Sequence, residues 1–242
     1  MKSLQVLFAL GLIVGLFMVG SSPALGATIT GKVNFEGDVP KLKPLTMTSD
    51  PMCSIHSPDG APSEMLVLGL DKQIANVFVR VKSGLGDEKY PVPEEPVVLD
   101  QKGCIYTPHV FGVRVGQELK VLNPDNTLHN VHAMPRINAP YNIAMPKFRK
   151  EAVNTFTKEE FMFPIKCDVH PWMGTWCAVM DHPFFDVTAK DGVYKLEGLK
   201  AGTYEIESWH ERLKTKTETV TVTEDETKTV NFTYEYTRPA KK

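Results

Sequence analysis

The stretch Cys167-Asp168-Val169-His170-Pro171-Trp172-Met173 lies between two short apolar runs, Phe161-Met162-Phe163 before it and Trp176-Cys177-Ala178-Val179-Met180 after it. Runs of this length read as strands, so the seven residues between them form a tight loop. Upstream, Val97-Val98-Leu99, Cys104-Ile105-Tyr106, Val113-Arg114-Val115 and Glu118 to Asn123 add further short strands, with Gly116-Gln117 as a turn. Short strands at this spacing predict a β-sandwich or barrel. Arg136 to Phe156 is rich in Pro, Asn and Lys and lacks a sustained helical period, which predicts a loop with room for one short helix.

Alternation also marks both ends. Ile29, Val33 and Phe35 share one face of a strand over Thr28 to Phe35, and Asn76 to Lys82 alternates again. Between them Pro40, Pro44, Pro51, Pro58 and Pro62 punctuate a long loop that holds Cys53 and His56. After Met180, alternating runs over Phe185 to Thr188, Val193 to Leu196, Thr203 to Trp209, Thr217 to Thr223 and Thr227 to Tyr236 predict a small antiparallel sandwich. Asp191-Gly192 and Glu224-Asp225-Glu226 are its turns.

With 242 residues, the chain is long enough for one large or two small domains. A net charge of -2 and the absence of a basic stripe exclude nucleic acid as a partner. Lys2, an apolar run from Leu4 to Val19 and small residues at Ala24, Gly26 and Ala27 predict an export signal over 1–27. Only an uncleaved signal would attach the chain to a membrane. The mature protein is therefore expected to be periplasmic or otherwise extracytoplasmic, where disulfides persist. The ending Arg238-Pro239-Ala240-Lys241-Lys242 reads as a tail.

Cys167, His170 and Met173 place a thiolate, an imidazole and a thioether on one loop, a mixture of soft and borderline donors that suits copper in both oxidation states. A second histidine completes a trigonal set with a weak axial Met, and Leu128-His129-Asn130-Val131-His132 supplies two candidates. Spacing alone does not choose between His129 and His132, which an extended backbone turns to opposite faces.

These two motifs resemble the cupredoxins, the type 1 blue copper family, and within it the amicyanin type. The likeness rests on Cys-x-x-His-x-x-Met with Pro after the His and an aromatic before the Met, on His129-Asn130-Val131-His132, and on Tyr106-Thr107-Pro108 and Val115-Gly116-Gln117. It spans roughly Cys104 to Met180. It implies a Greek-key β-sandwich holding one copper ion on His129, Cys167, His170 and Met173. Asn130 and His132 would then lie behind the ligands, with Asn130 joining the two loops. It also implies an electron-transfer patch at Pro171 and Trp172, around an exposed edge of His170.

The flanks, from Thr30-Gly31-Lys32-Val33 and from Thr188 through Tyr204, resemble a carboxypeptidase-regulatory-like, Ig-like β-sandwich. The whole arrangement is similar to exported proteins of the methylamine-utilisation or plastocyanin-like kind. The expected fold is thus all-β with two sandwiches. A copper domain over 97–183 follows N-terminal strands over 28–96, which pair with a C-terminal sandwich over 184–236, and 237–242 trail as a tail.

Four cysteines leave three if Cys167 binds metal. Cys53 and Cys104 are open to a disulfide or, with His56 and His109, to a second metal site. Cys177 lies too far along for the ligand loop and reads as a small buried residue or a disulfide partner. His182 and His210 read as structural or surface residues.

A four-donor shell leaves no position for substrate, and no nucleophile–base or carboxylate pair has suitable spacing, so the chain is not expected to be an enzyme. One-electron transport to a redox protein, such as a c-type cytochrome or a dehydrogenase, is the expectation. Copper delivery, or a structural role in a larger extracytoplasmic complex, is the alternative.

Overall fold

The structure is a computed structural model that describes residues 26–238. The expected export signal up to position 25 and the tail beyond 238 lie outside the described residues. Among the described residues there are sixteen strands and one short helix. The first strands are β1 (Ala27–Gly37), β2 (Phe78–Ser83), β3 (Val97–Asp100), β4 (Val110–Arg114) and β5 (Glu118–Leu122), with α1 (Pro51–His56) between β1 and β2. Then come β6 (His129–Ala133), β7 (Tyr141–Met145), β8 (Glu151–Thr155), β9 (Glu160–Lys166) and β10 (Gly174–Met180). The chain closes with β11 (Phe185–Val187), β12 (Val193–Leu199), β13 (Gly202–His210), β14 (Lys214–Val222), β15 (Thr227–Thr229) and β16 (Phe232–Tyr236).

The strands form four sheets around two main cores. One sheet runs β4-β10-β9-β6-β7 and another β3-β5-β8. Leu99, Val113, Leu119, Val131, Phe163, Ile165 and Val179 from these sheets share one core. The other two sheets, β12-β1-β15 with β16 also on β1, and β11-β2-β13-β14, enclose Ile29, Val33, Val79, Tyr194, Ile206 and Phe232. The N-terminal strands β1 and β2 thus pair only with strands that follow β10. Alternation explains β1, where Ala27, Ile29, Val33 and Phe35 turn inward.

A small third cluster joins the two sandwiches. Phe78, Val110, Ala178 and Met180 are fully buried there, and the Phe185 ring stacks on Phe78 at 5.4 Å. Gly112 on β4 makes room for that ring, since a Cβ at this position would collide with it. Arg80 lies 3.6 Å over the Phe161 ring and pairs with Glu207 at 2.9 Å, so its charge is compensated where the two sandwiches meet.

Three local expectations are corrected. Arg136 to Phe156 carries two strands, β7 and β8, and no helix. Tyr141, Ile143 and Met145 alternate in register with β6, and the buried Glu160 carboxylate accepts the backbone N–H groups of Arg136, Ile137 and Asn138, which fixes the entry to β7. The one helix falls instead in the proline-punctuated loop. There Asp50 caps it by accepting the Met52 N–H at 2.7 Å, and Pro51 occupies its first turn. Cys104 to Tyr106 is a turn and not a strand, because Gly103 and Cys104 adopt positive φ and give their N–H groups to Asp125.

His182 and His210 are buried, and each Nδ1 accepts backbone N–H groups, from Phe184 in the first case and from Arg212 and Leu213 in the second. Burial pushes both imidazoles down to about 4. Both stay neutral when folded but take up a proton near pH 6.5 once unfolded, so stability falls as pH drops from about 6.5 to about 4. His210→Asn keeps an acceptor near Nδ1 without the titration. Denaturant unfolding across that window should show a flatter decline for the variant than for the parent, and equal slopes would contradict the assignment.

Candidate metal centre

The end of β9 and the start of β6 bring the central residues together. Cys167 follows β9 directly, and β10 resumes at Gly174, so the intervening loop is tight. It is closed by backbone bonds from the Cys167 N–H to the Met173 carbonyl at 3.2 Å and from the Met173 N–H to the His170 carbonyl at 2.9 Å. His129 opens β6. Its Nδ1 lies 2.9 Å from His170 Nδ1, and the Cys167 sulfur lies 3.7 Å from the same nitrogen. The donor atoms of His129, Cys167 and His170 all fall within 4.8 Å of one another. All three residues are buried, and so is Met173, which packs in the same core cluster.

Carboxylates hold both imidazoles from behind. His129 Nε2 lies 3.0 Å from Asp125, and His170 Nε2 lies 3.0 Å from Asp50. Each Nε2–H donates outward, which leaves the Nδ1 lone pair facing the other donors, as ligand histidines require. Burial alone would lower His129 and His170, but their bonds to Asp125, Asp50 and the Cys167 sulfur outweigh it and raise both. Burial would raise the Cys167 thiol, yet its hydrogen bonding with His129 and His170 outweighs this and brings it down to about 6. A thiol so placed is a ready thiolate ligand.

Asn130 joins the two loops. Its Oδ1 accepts the Asp168 N–H at 2.7 Å and lies 3.3 Å from the Cys167 sulfur, while its amide donates to Asn142 and Asp168. The Tyr106 hydroxyl donates to the Asn130 carbonyl at 2.6 Å. His132 turns away to the exposed Asp168 carboxylate at 3.0 Å, outside the donor cluster. The inward donors are therefore one sulfur and two imidazole nitrogens, a set that fits copper better than hard ions that prefer all-oxygen shells.

Cys53 and Cys104 form a disulfide. Its sulfurs lie beside the outer faces of the imidazoles, Cys53 near Asp50 and His170, and Cys104 near Asp125 and His129. The alternative second metal site is thereby corrected: both sulfurs are spent, His56 is exposed, and His109 turns to Glu211 at 2.7 Å and Glu64 at 3.7 Å. Cys177 is a free thiol packed in the core.

The largest correction concerns His170. The expected exposed edge is absent, because Asp50 and α1 cover it and leave the residue 1% exposed. Pro171 is exposed, and Trp172 is half-buried with its ring 5.0 Å from that of His170. Sequence reasoning missed Asp50, Asp125 and Thr127. The capping signal in Asp50-Pro51 was available, but its placement over His170 depends on a disulfide between residues 51 positions apart.

No family model and no curated protein matches the chain. Solved structures that resemble part of it include copper proteins. An amicyanin variant in its Cu(I) form is 21% identical, with 42% of this chain and 98% of amicyanin covered at a TM-score of 0.32. A purple cupredoxin from Nitrosopumilus maritimus is 17% identical, with coverage of 35% and 99% and a TM-score of 0.30. The copper-containing nitrite reductase of Thermus scotoductus SA-01 is 21% identical over 39% of this chain at a TM-score of 0.32, and the match spans only 26% of the reductase.

Thiol titration checks the sulfur assignment. The denatured, unreduced, metal-free chain should react at two thiols, Cys167 and Cys177, and at four after reduction. Four reactive thiols before reduction would contradict it.

Proposed function

We propose that the chain is an exported type 1 copper protein that carries single electrons between redox partners. The observation that carries this reading is the buried convergence of His129, Cys167 and His170, with both imidazoles oriented by carboxylates. Copper bound there would supply one-electron cycling between Cu(I) and Cu(II). His129, Cys167 and His170 would hold it, with Met173 as the fourth ligand, in a buried core. Asp125 and Asp50 hold the two imidazoles, and Asn130, by accepting the Asp168 N–H, holds the loop that carries Cys167. These restraints keep the donors in one geometry whatever the charge of the ion.

The burial of every donor favours a resident ion over an exchangeable cargo, and hence transport of electrons over delivery of copper. A Cys53–Cys104 disulfide suits an oxidising compartment such as the periplasm. A c-type cytochrome or a dehydrogenase is the class of partner that a one-electron carrier serves.

Copper-loaded, oxidised protein should show the intense visible thiolate-to-copper band, and Cys167→Ser should abolish it. Stoichiometric Cu(II) without that band would contradict the reading. Asp125→Asn should weaken Cu(II) binding by about 10- to 100-fold, the usual effect of removing a carboxylate behind a ligand histidine. Competition against a chelator measures this, and unchanged affinity would count against Asp125 as the group that holds His129.

A further inference from the structure

A metal centre of this kind meets its partners where a ligand reaches the surface, yet none of the donors does so here. His129, Cys167, His170 and Met173 are each at most 3% exposed. The Nε2 edge of His170 faces Asp50 Oδ2 at 3.0 Å and the Cys53 sulfur at 3.6 Å. Asp50 is itself fixed, because Oδ1 accepts the Met52 N–H at 2.7 Å and Oδ2 accepts the Thr127 hydroxyl at 2.9 Å. The segment that carries it is anchored on both sides of α1. Met47 and Ala61 are buried in the core, Leu45 and Ala61 exchange backbone hydrogen bonds at 2.7 and 3.1 Å, and Cys53 is bonded to Cys104. This strap seals His170.

Trp172 has the opposite character. Its ring lies 5.0 Å from the His170 ring, and its indole N–H donates to the Cys104 carbonyl at 3.0 Å, which fixes its orientation. It is half-buried, and together with Ile105, Trp176 and the exposed Pro171 it lines a surface cavity of about 370 Å³. An aromatic that packs on His170 and also borders open space offers a route from the centre to the outside.

We propose that Trp172, and not the edge of His170, is the group through which the metal centre exchanges electrons, because the disulfide-anchored strap closes His170 and leaves the indole at the surface cavity. This rests on the copper reading above.

Stopped-flow reduction of the full, copper-loaded protein by hexaammineruthenium(II) tests it. Each complex gives one electron and becomes ruthenium(III) as Cu(II) becomes Cu(I). Trp172→Leu should slow the reaction by about tenfold or more, with the visible band and reduction potential unchanged, while Trp172→Phe retains most of the rate. Ile55→Trp, which adds bulk to the exposed side of the strap, should leave the rate as it was. A normal rate in Trp172→Leu together with a slowed Ile55→Trp would overturn the proposal.

A second readout uses the metal-free chain. Diethyl pyrocarbonate should modify the exposed His56 and spare His170, and Asp50→Ala should make His170 reactive. A blue wild-type protein whose metal-free form reacts at His170 as fast as at His56 overturns the seal. A wild-type protein without the visible band removes the copper reading, and the exchange route with it, even where His170 is protected.

Discussion

Two imidazole nitrogens 2.9 Å apart, with a thiol sulfur 3.7 Å from one of them, face each other inside an apolar core. Polar groups removed from water cost free energy unless they are satisfied. That arrangement persists only if the surrounding chain holds each donor from behind. Asp125 and Asp50 do so for the histidines, and Asn130, through the Asp168 N–H, does so for the loop that carries Cys167. The same carboxylates are tied in turn: Asp125 accepts the N–H groups of Gly103 and Cys104, and Asp50 caps α1 and accepts the Thr127 hydroxyl. The centre is therefore the innermost layer of a network that reaches the N-terminal strap.

The disulfide makes this network continuous. Cys53 lies on α1 and Cys104 on the turn held by Asp125, so one covalent bond links the groups behind the two histidines. Linking residues 51 positions apart also restricts the unfolded chain, a constraint that typically contributes about 2–4 kcal/mol. A strap that would otherwise be an open, proline-rich loop becomes a fixed cover. The Trp172 N–H, bound to the Cys104 carbonyl, belongs to the same assembly.

The two-sandwich, all-β architecture was legible because alternation survives in most strands, and the convergence of His129, Cys167 and His170 because these residues lie on two short motifs. Cys167, His170 and Met173 come from one loop, so local spacing suffices for them. The choice of His129 over His132 needed the family resemblance, and the backbone of β6 shows the physical reason: the two point to opposite faces, one inward and one to Asp168. The strands β7 and β8 were obscured by Pro, Asn and Lys around them, although Tyr141, Ile143 and Met145 alternate. What could not be read was the cover on His170. It depends on a long-range disulfide that brings Asp50 across the chain, and no periodicity encodes that approach.

The central claim is that this network holds one copper ion on the Cys167 sulfur and two imidazoles. Copper X-ray absorption of the oxidised, fully loaded protein tests it most directly. One short copper–sulfur distance and two imidazole nitrogens are expected, with the sulfur contribution lost in Cys167→Ser. A first coordination shell of oxygen and nitrogen alone in the parent protein would contradict it.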